Sequence, residues 1–352
     1  MRGYLSGRRI VDREDLRRLL SQRPRRAHAS GGSQILQHDW NHLMKTYHRI
    51  LAALVPAGLA STARRASIQL SIVVALGTAA PWAQGDILYI GSESRDIFKI
   101  NSTGAASVFA TLPITSAYSS GLAFDVNGNL FATDLNRDQI NRITPAGIVS
   151  PFATLPSNSL PTGLAFDGGG NLFVANNGAH EILKITTGGV QSHFATLPIG
   201  AFAEGLAFDA SGNLFVADAD NDKIHKITTA GVVSLFATLP ADTGPLGLAF
   251  DNIGNLLVAG LLSDQISSIT PTGAVSVFAT LAANSQPIGL AFDSGGNLYV
   301  GGVAGQVNKI TPAGAVSLFA SGATTFTYIA VTDDAGRPLP LPQPMCLNHD
   351  RS

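Results

Sequence analysis

From Gly121 onward the chain alternates short apolar runs with turn residues on a fixed period. Gly-Leu-Ala-Phe-Asp begins at Gly121, Gly163, Gly205, Gly247 and Gly289, 42 residues apart each time. In the third copy the Gly212-Asn213 pair is followed by an apolar segment (Leu214 to Ala217) and an Ile-x-x-Ile segment (Ile224 to Ile227). A Thr/Ala/Gly turn then leads into Val-Ser-x-Phe-Ala-Thr. Each segment is short and bounded by turn residues, so each copy predicts four β-strands, labelled a to d in chain order. Four strands on a period of about 40 point to a propeller blade, since a solenoid coil repeats more tightly.

The register of the copies predicts how the ring closes. Ahead of Gly121 stand only a strand b (Ile87 to Ile90), a strand c (Ile97 to Ile100) and a strand d (Ser107 to Thr111). The final segment, Tyr328 to Val331, is a strand a without its blade. The expected architecture is therefore an all-β, six-bladed propeller over residues 85–336, four antiparallel strands per blade, with the C-terminal strand innermost in blade 1. That closure leaves no open edge in the ring. Ile140 and Ile143 point to opposite faces of one strand, as a blade sandwiched between two neighbours requires.

Charge divides the chain. Residues 1–84 hold 13 of the 23 Lys and Arg and 4 of the 24 Asp and Glu, a net of +9, and the remainder carries −10. An acidic repeat region without basic clusters does not attract phosphate backbones, so nucleic acid is not an expected partner. Residues 1–84 read as a leader. Arg64-Arg65, an apolar run over about 68–80 and small residues up to Ala83 form a signal-peptide layout, and Met44 is a possible alternative start. The run is shorter than the roughly 20 residues of a membrane span. Export to the periplasm or the extracellular space follows, with no membrane anchor after signal removal. The single Cys346 can form no disulfide framework or Cys-based metal site. Residues 337–352 are a Pro-rich extended tail, and a monomer is expected.

The Asp-x-x-Gly-Asn turns, such as Asp167 to Asn171, resemble the start of a calcium loop. Asp accepting backbone N–H groups and Gly supplying positive φ explain every copy as a hairpin turn. What differs between copies is the opposite set of loops: Leu135-Asn136-Arg137 against Asn177-Gly178-Ala179 against Leu261-Leu262-Ser263. Binding is carried by variable loops on a rigid scaffold, so the face formed by the b–c and d–a loops is the expected functional face. It is acidic: Glu93, Asp134, Asp138, Glu181, Glu204, Asp218, Asp220, Asp222 and Asp242 face Arg95, Arg137 and Lys223. Asp134, Asn176, Glu204 and Asp218 are its binding candidates. Asp218, Asp220 and Asp222 alternate as some calcium loops begin, but Lys223 stands where the loop Gly belongs, so a solvated loop is the plainer reading. His180-Glu181, His193 and His225 form no constellation specific enough to name as catalytic.

Pro161 to Asp167, Gly212 to Asp218 and Asn221 to Ile224 resemble the NHL-repeat propellers of the TolB-like six-bladed class over residues 85–335, which implies fold more than function. More distantly the chain is similar to senescence-marker/gluconolactonase propellers. That resemblance implies a divalent-metal hydrolase with ligands just before the Gly that opens strand a. Those places hold Ser120, Thr162, Glu204, Leu246, Ile288 and Thr327, and only Glu204 matches. Glu204, Asp218, Asp220 and Asp222 are accordingly the candidate metal ligands. The expected function is a non-catalytic binding scaffold with an unidentified protein or small-molecule ligand and no required cofactor, Glu204 being a solvated rim group. A gluconolactonase-like hydrolase with a degenerate site, using calcium or another divalent cation, is the alternative.

Overall fold

Turn residues at regular intervals cut the chain into strands too short to stand alone, so each must pair with its neighbours in sequence and bury both faces. In the computed structural model, residues 86–92, 95–113, 121–322 and 326–333 are described, with side chains in the last stretch described from Tyr328 onward. All belong to one compact unit, Ile68–Ser352. The leader (1–84) and the tail (337–352) lie outside the described residues.

Blade 1 contains β1 (Ile87–Ser92), β2 (Asp96–Ile100) and β3 (Ala106–Thr111). Blade 2 is β4 (Leu122–Phe124), β5 (Leu130–Asp134), β6 (Gln139–Ile143) and β7 (Val149–Thr154). Blade 3 is β8 (Pro161–Phe166), β9 (Leu172–Asn176), β10 (Glu181–Ile185) and β11 (Gln191–Thr196). Blade 4 is β12 (Ala203–Phe208), β13 (Leu214–Asp218), β14 (Lys223–Ile227) and β15 (Val233–Thr238). Blade 5 is β16 (Pro245–Phe250), β17 (Leu256–Gly260), β18 (Gln265–Ile269) and β19 (Val275–Thr280). Blade 6 is β20 (Pro287–Phe292), β21 (Leu298–Gly302), β22 (Gln306–Ile310) and β23 (Val316–Ser321), followed by β24 (Phe326–Thr332).

Each blade is a four-stranded antiparallel sheet, and β24 completes the first in the order β24-β1-β2-β3. Ile87 pairs with Thr332 and Ile90 with Ile329. The ring therefore closes as the repeat register predicts, by joining the two ends of the described chain in one sheet.

The core lies between blades. Ile140 packs with Leu172 and Val174 of blade 3, whereas Ile143 packs with Ile97 and Leu112 of blade 1. Aromatic rings run through these interfaces. Phe131 stands edge-on to Phe152 of its own outer strand and to Phe166 of the next blade's inner strand, with centroids 4.8 and 5.1 Å away. Phe173 and Phe215 repeat the arrangement with Phe194 and Phe208, and with Phe236 and Phe250. Each edge-to-face pair is worth about 0.5–1.5 kcal/mol beyond area burial. Blade 5 places Leu257 where its neighbours carry the central ring.

The a–b turns are self-contained. The Asp167 carboxylate accepts the backbone N–H groups of Gly169 and Asn171 and the Asn171 side-chain amide, at 3.0, 2.8 and 2.8 Å. Asp125, Asp209 and Asp251 do the same. These carboxylates are turn chemistry, as their repetition implies.

Candidate functional site

The loop face is built from a second repeated device. Asp138, Asp222 and Asp264 close the b–c hairpins with φ of 51, 52 and 54°, a left-handed conformation that Asp tolerates. From there each carboxylate reaches the next d–a connection. Asp222 accepts the N–H groups of Asp242 and Gly244 at 3.0 and 2.8 Å. Asp138 takes those of Asn158 and Leu160, and Asp264 those of Asn284 and Gln286. In blade 3 His180 holds this place, its Nδ1 lying 3.0 Å from the Ala201 carbonyl. Asp138, Asp222 and Asp264 thus pin the d–a connections opposite them.

Asp218, at the end of β13, is fully engaged. It is 2% exposed and accepts from the Phe202 N–H, the Asn221 amide and His225 Nε2. His225 is the buried partner of this carboxylate, and its pairing follows from the strand register rather than from sequence proximity. Asn176 donates to Glu181 at 2.8 Å. Asp134 has the equivalent place in blade 2 and is wholly buried. Burial pushes its carboxyl above the usual range, with the Arg137 charge and the backbone N–H groups of Asn136 and Arg137 opposing. Asp220 acts on Glu204 through its charge. Glu93 and Ser120 lie outside the described residues.

Glu204 departs from the expectation of a solvated rim group: it is 3% exposed. Two local features put it there. The register between β12 and β13 shifts between Ala203 and Leu206, a bulge that takes Glu204 out of the ladder and re-aims it. Gly205 follows because the inner strands approach so closely that a Cβ would strike the Leu246 carbonyl oxygen. Gly121, Gly163 and Gly247 are confined in the same way by the carbonyls of Thr162, Glu204 and Ile288.

Tyr328 is the exception in that ring. Ile329 pairs with Ile90 as Leu122 pairs with Ala132, so Tyr328 takes the register place of Gly121. Its hydroxyl donates to Glu204 Oε2 at 2.9 Å, joining blade 1 to the opposite blade 4 across the axis. Among the described residues no donor meets the other oxygen, Oε1. Burial pushes Glu204 from 4.5 up to about 8. The Tyr328 hydrogen bond opposes that rise and the Asp220 charge adds to it. The carboxyl is therefore mainly neutral at pH 7.

These donors fit a hard divalent cation poorly. Such ions want six or so oxygens, preferably charged. The Thr162 hydroxyl is committed to the Ala203 carbonyl at 2.7 Å, and Leu246 and Ile288 bring no oxygen. Among the described residues no three His, Cys, Asp or Glu side chains converge.

The model of the virginiamycin B lyase family matches residues 77–323. The chain belongs to that family. Virginiamycin B lyase from Staphylococcus aureus shares the fold at 20% identity and a TM-score of 0.58, covering 74% of this chain and 94% of its own. The same enzyme is known as a catalytically inactive histidine-to-alanine variant with quinupristin. The nidogen/laminin complex contains a propeller at 20% identity and a TM-score of 0.61, covering 71% and 99%. A structure described as a gluconolactonase matches at 16% and 0.53, covering 62% and 86%. The gluconolactonase resemblance thus holds at the level of the fold. No curated protein sequence matches the chain.

Proposed function

We propose that this member of the virginiamycin B lyase family is an exported binding propeller that presents its b–c and d–a loop face to a ligand without transforming it. The observation that carries this reading is the set of latches made by Asp138, Asp222 and Asp264. Carboxylates that hold two backbone N–H groups each serve the scaffold, and they stiffen the loops that would meet a partner. Each histidine of the described propeller has one ring nitrogen in a contact, and His225 Nδ1 is buried without a partner. His180 faces Ala201, His193 faces Thr196 on an outer strand, and His225 faces Asp218. The S. aureus lyase, by contrast, loses catalysis when one histidine becomes alanine.

A second reading, a lyase or gluconolactonase-like hydrolase with Glu204 at its centre, draws on one observation. Glu204 is a buried acid with a raised pKa, and such groups gather at functional sites. The test is incubation of the purified chain with quinupristin and with a panel of lactones, followed by mass spectrometry and calorimetry. Binding without ring opening supports the scaffold. Turnover that Glu204→Ala abolishes supports the enzyme.

A further inference from the structure

Blade 2 repeats the buried polar pair of blade 4 with one side chain changed, and the change leaves atoms without partners. Asp134 pairs with Gln139 across β5 and β6, and Asn141 pairs with Ala132. In the same register across β13 and β14, Asp218 pairs with Lys223 and His225 with Val216. Asp134 and Asn141 thus hold the places of Asp218 and His225, diagonal neighbours on one face of the sheet. Ala132 and Ile143, two residues away on each strand, pack with Ile97 and Leu112 of blade 1. That face therefore looks into the seam between blades 1 and 2. In blade 4 the His225 Nε2 closes on Asp218 at 3.1 Å. In blade 2 both side chains are wholly buried. Among the described residues, neither oxygen of Asp134 and neither polar atom of the Asn141 amide has a hydrogen-bond partner. The backbone N–H groups of Asn136 and Arg137 act on Asp134 without closing such a bond.

We infer that at least one ordered water is bound in that seam, bridging the Asp134 carboxyl to the Asn141 amide where blade 4 uses an imidazole. The first reason is reach. Diagonal neighbours on a sheet stand roughly 7–8 Å apart, a span that a ring can cross. Histidine carries its far nitrogen one covalent bond farther from Cβ than asparagine carries its amide atoms. On the same register, Asn141 stops short of the carboxyl that His225 reaches. The second reason is the match of donors and acceptors. The Asn141 oxygen accepts and its nitrogen donates, while the carboxyl offers two oxygens. Water donates and accepts, so it answers this set whichever way the amide is turned and whether or not the carboxyl holds a proton. A buried water makes about three hydrogen bonds to groups that otherwise lack partners, and folded proteins rarely leave such groups dry. A hard cation suits the place less well. It wants six or so oxygens, the two side chains offer three, and the Arg137 charge already acts on Asp134.

The test uses the full chain, by crystallography and by NMR with nitrogen-15 in its asparagine side chains. A high-resolution crystal structure should show a water within hydrogen-bond distance of both Asp134 and Asn141, and crystals soaked in rubidium should show no anomalous peak there. In solution the Asn141 amide protons should give a cross-relaxation peak to a long-lived water. Asn141→His should rebuild the pair of blade 4: the imidazole contacts Asp134, the water is lost from the seam, and the melting temperature holds or rises. Asn141→Leu removes the amide without supplying a donor and should melt several degrees lower than the parent. The inference is overturned if the crystal shows Asp134 and Asn141 bonded to each other or to protein groups alone. A rubidium peak in the seam would overturn it in favour of a cation. So would a missing water peak at the Asn141 amide, or an Asn141→His chain that keeps the water. The parent crystal and spectrum decide even if both variants fail to fold.

Discussion

Asp222 and Glu204 both stand on the loop face, and along the chain they look like parts of one acidic surface. Asp222 lies at a hairpin end, where two backbone N–H groups from the next connection converge on its oxygens. Glu204 lies on a bulge at the axis, where one phenol reaches Oε2 and burial raises the carboxyl to about 8. The first is an acceptor committed to the scaffold. The second is a buried carboxyl whose pKa is pushed up. Charge counted along a sequence therefore overstates the charge a face can offer, because hydrogen bonding and desolvation decide which carboxylates are spent and which are ionised.

The largest expected effect concerns the frame that holds both. Removing residues 326–352 takes away β24, opens blade 1 and deletes the phenol that spans the axis. Cooperative unfolding should be lost or shifted far down in temperature by calorimetry. A truncated chain that melts like the parent would contradict the closure. Next is Asp218→Ala, which strands His225, Asn221 and the Phe202 N–H in a buried site. Removing one partner of a buried pair costs about 3–5 kcal/mol, readable in urea unfolding, with Asp218→Asn recovering part of it. Asp222→Ala removes an acceptor from two backbone groups and should cost about 1–3 kcal/mol. It should also raise hydrogen exchange at Asp242 and Gly244 but not at the channel. Smallest is Tyr328→Phe, about 0.5–1.5 kcal/mol for one hydrogen bond.

Stability should also depend on pH through Glu204. Its folded pKa is raised from 4.5 to about 8, so the unfolded chain ionises first as pH rises. Between those values the native state loses up to about 1.4 kcal/mol per pH unit, and above about 8 the loss levels off. Glu204→Gln should flatten that slope, and an unchanged slope in the variant would assign it to another group.

The repeat made the fold legible, because 42-residue spacing, strand length and turn chemistry all agree. Even the closing strand could be placed, since the copies of strands a to d balance only if Tyr328 to Val331 joins Ile87 to Ile90. The site was legible by position but not by state. Glu204 stood out before Gly205, yet its burial depends on a bulge and on a neighbour's carbonyl that no local pattern reports. The partnership with Tyr328 spans 124 residues. One signal did exist: aligning the last strand with the others puts Tyr328 where every complete copy has Gly. The latches of Asp138, Asp222 and Asp264 were hidden differently, since their donors are backbone groups of loops whose sequences vary.

The state of Glu204 bears most directly on the contrast with Asp222. Carbon-13 NMR of the labelled glutamate carboxyls, followed from acid to mildly alkaline pH with Glu204→Gln to assign the resonance, reads that state in one titration. The account predicts a midpoint near 8, falling well clear of the other glutamates. A midpoint near 4.5 would mean an ordinary ionised carboxylate at the channel mouth, and would contradict it.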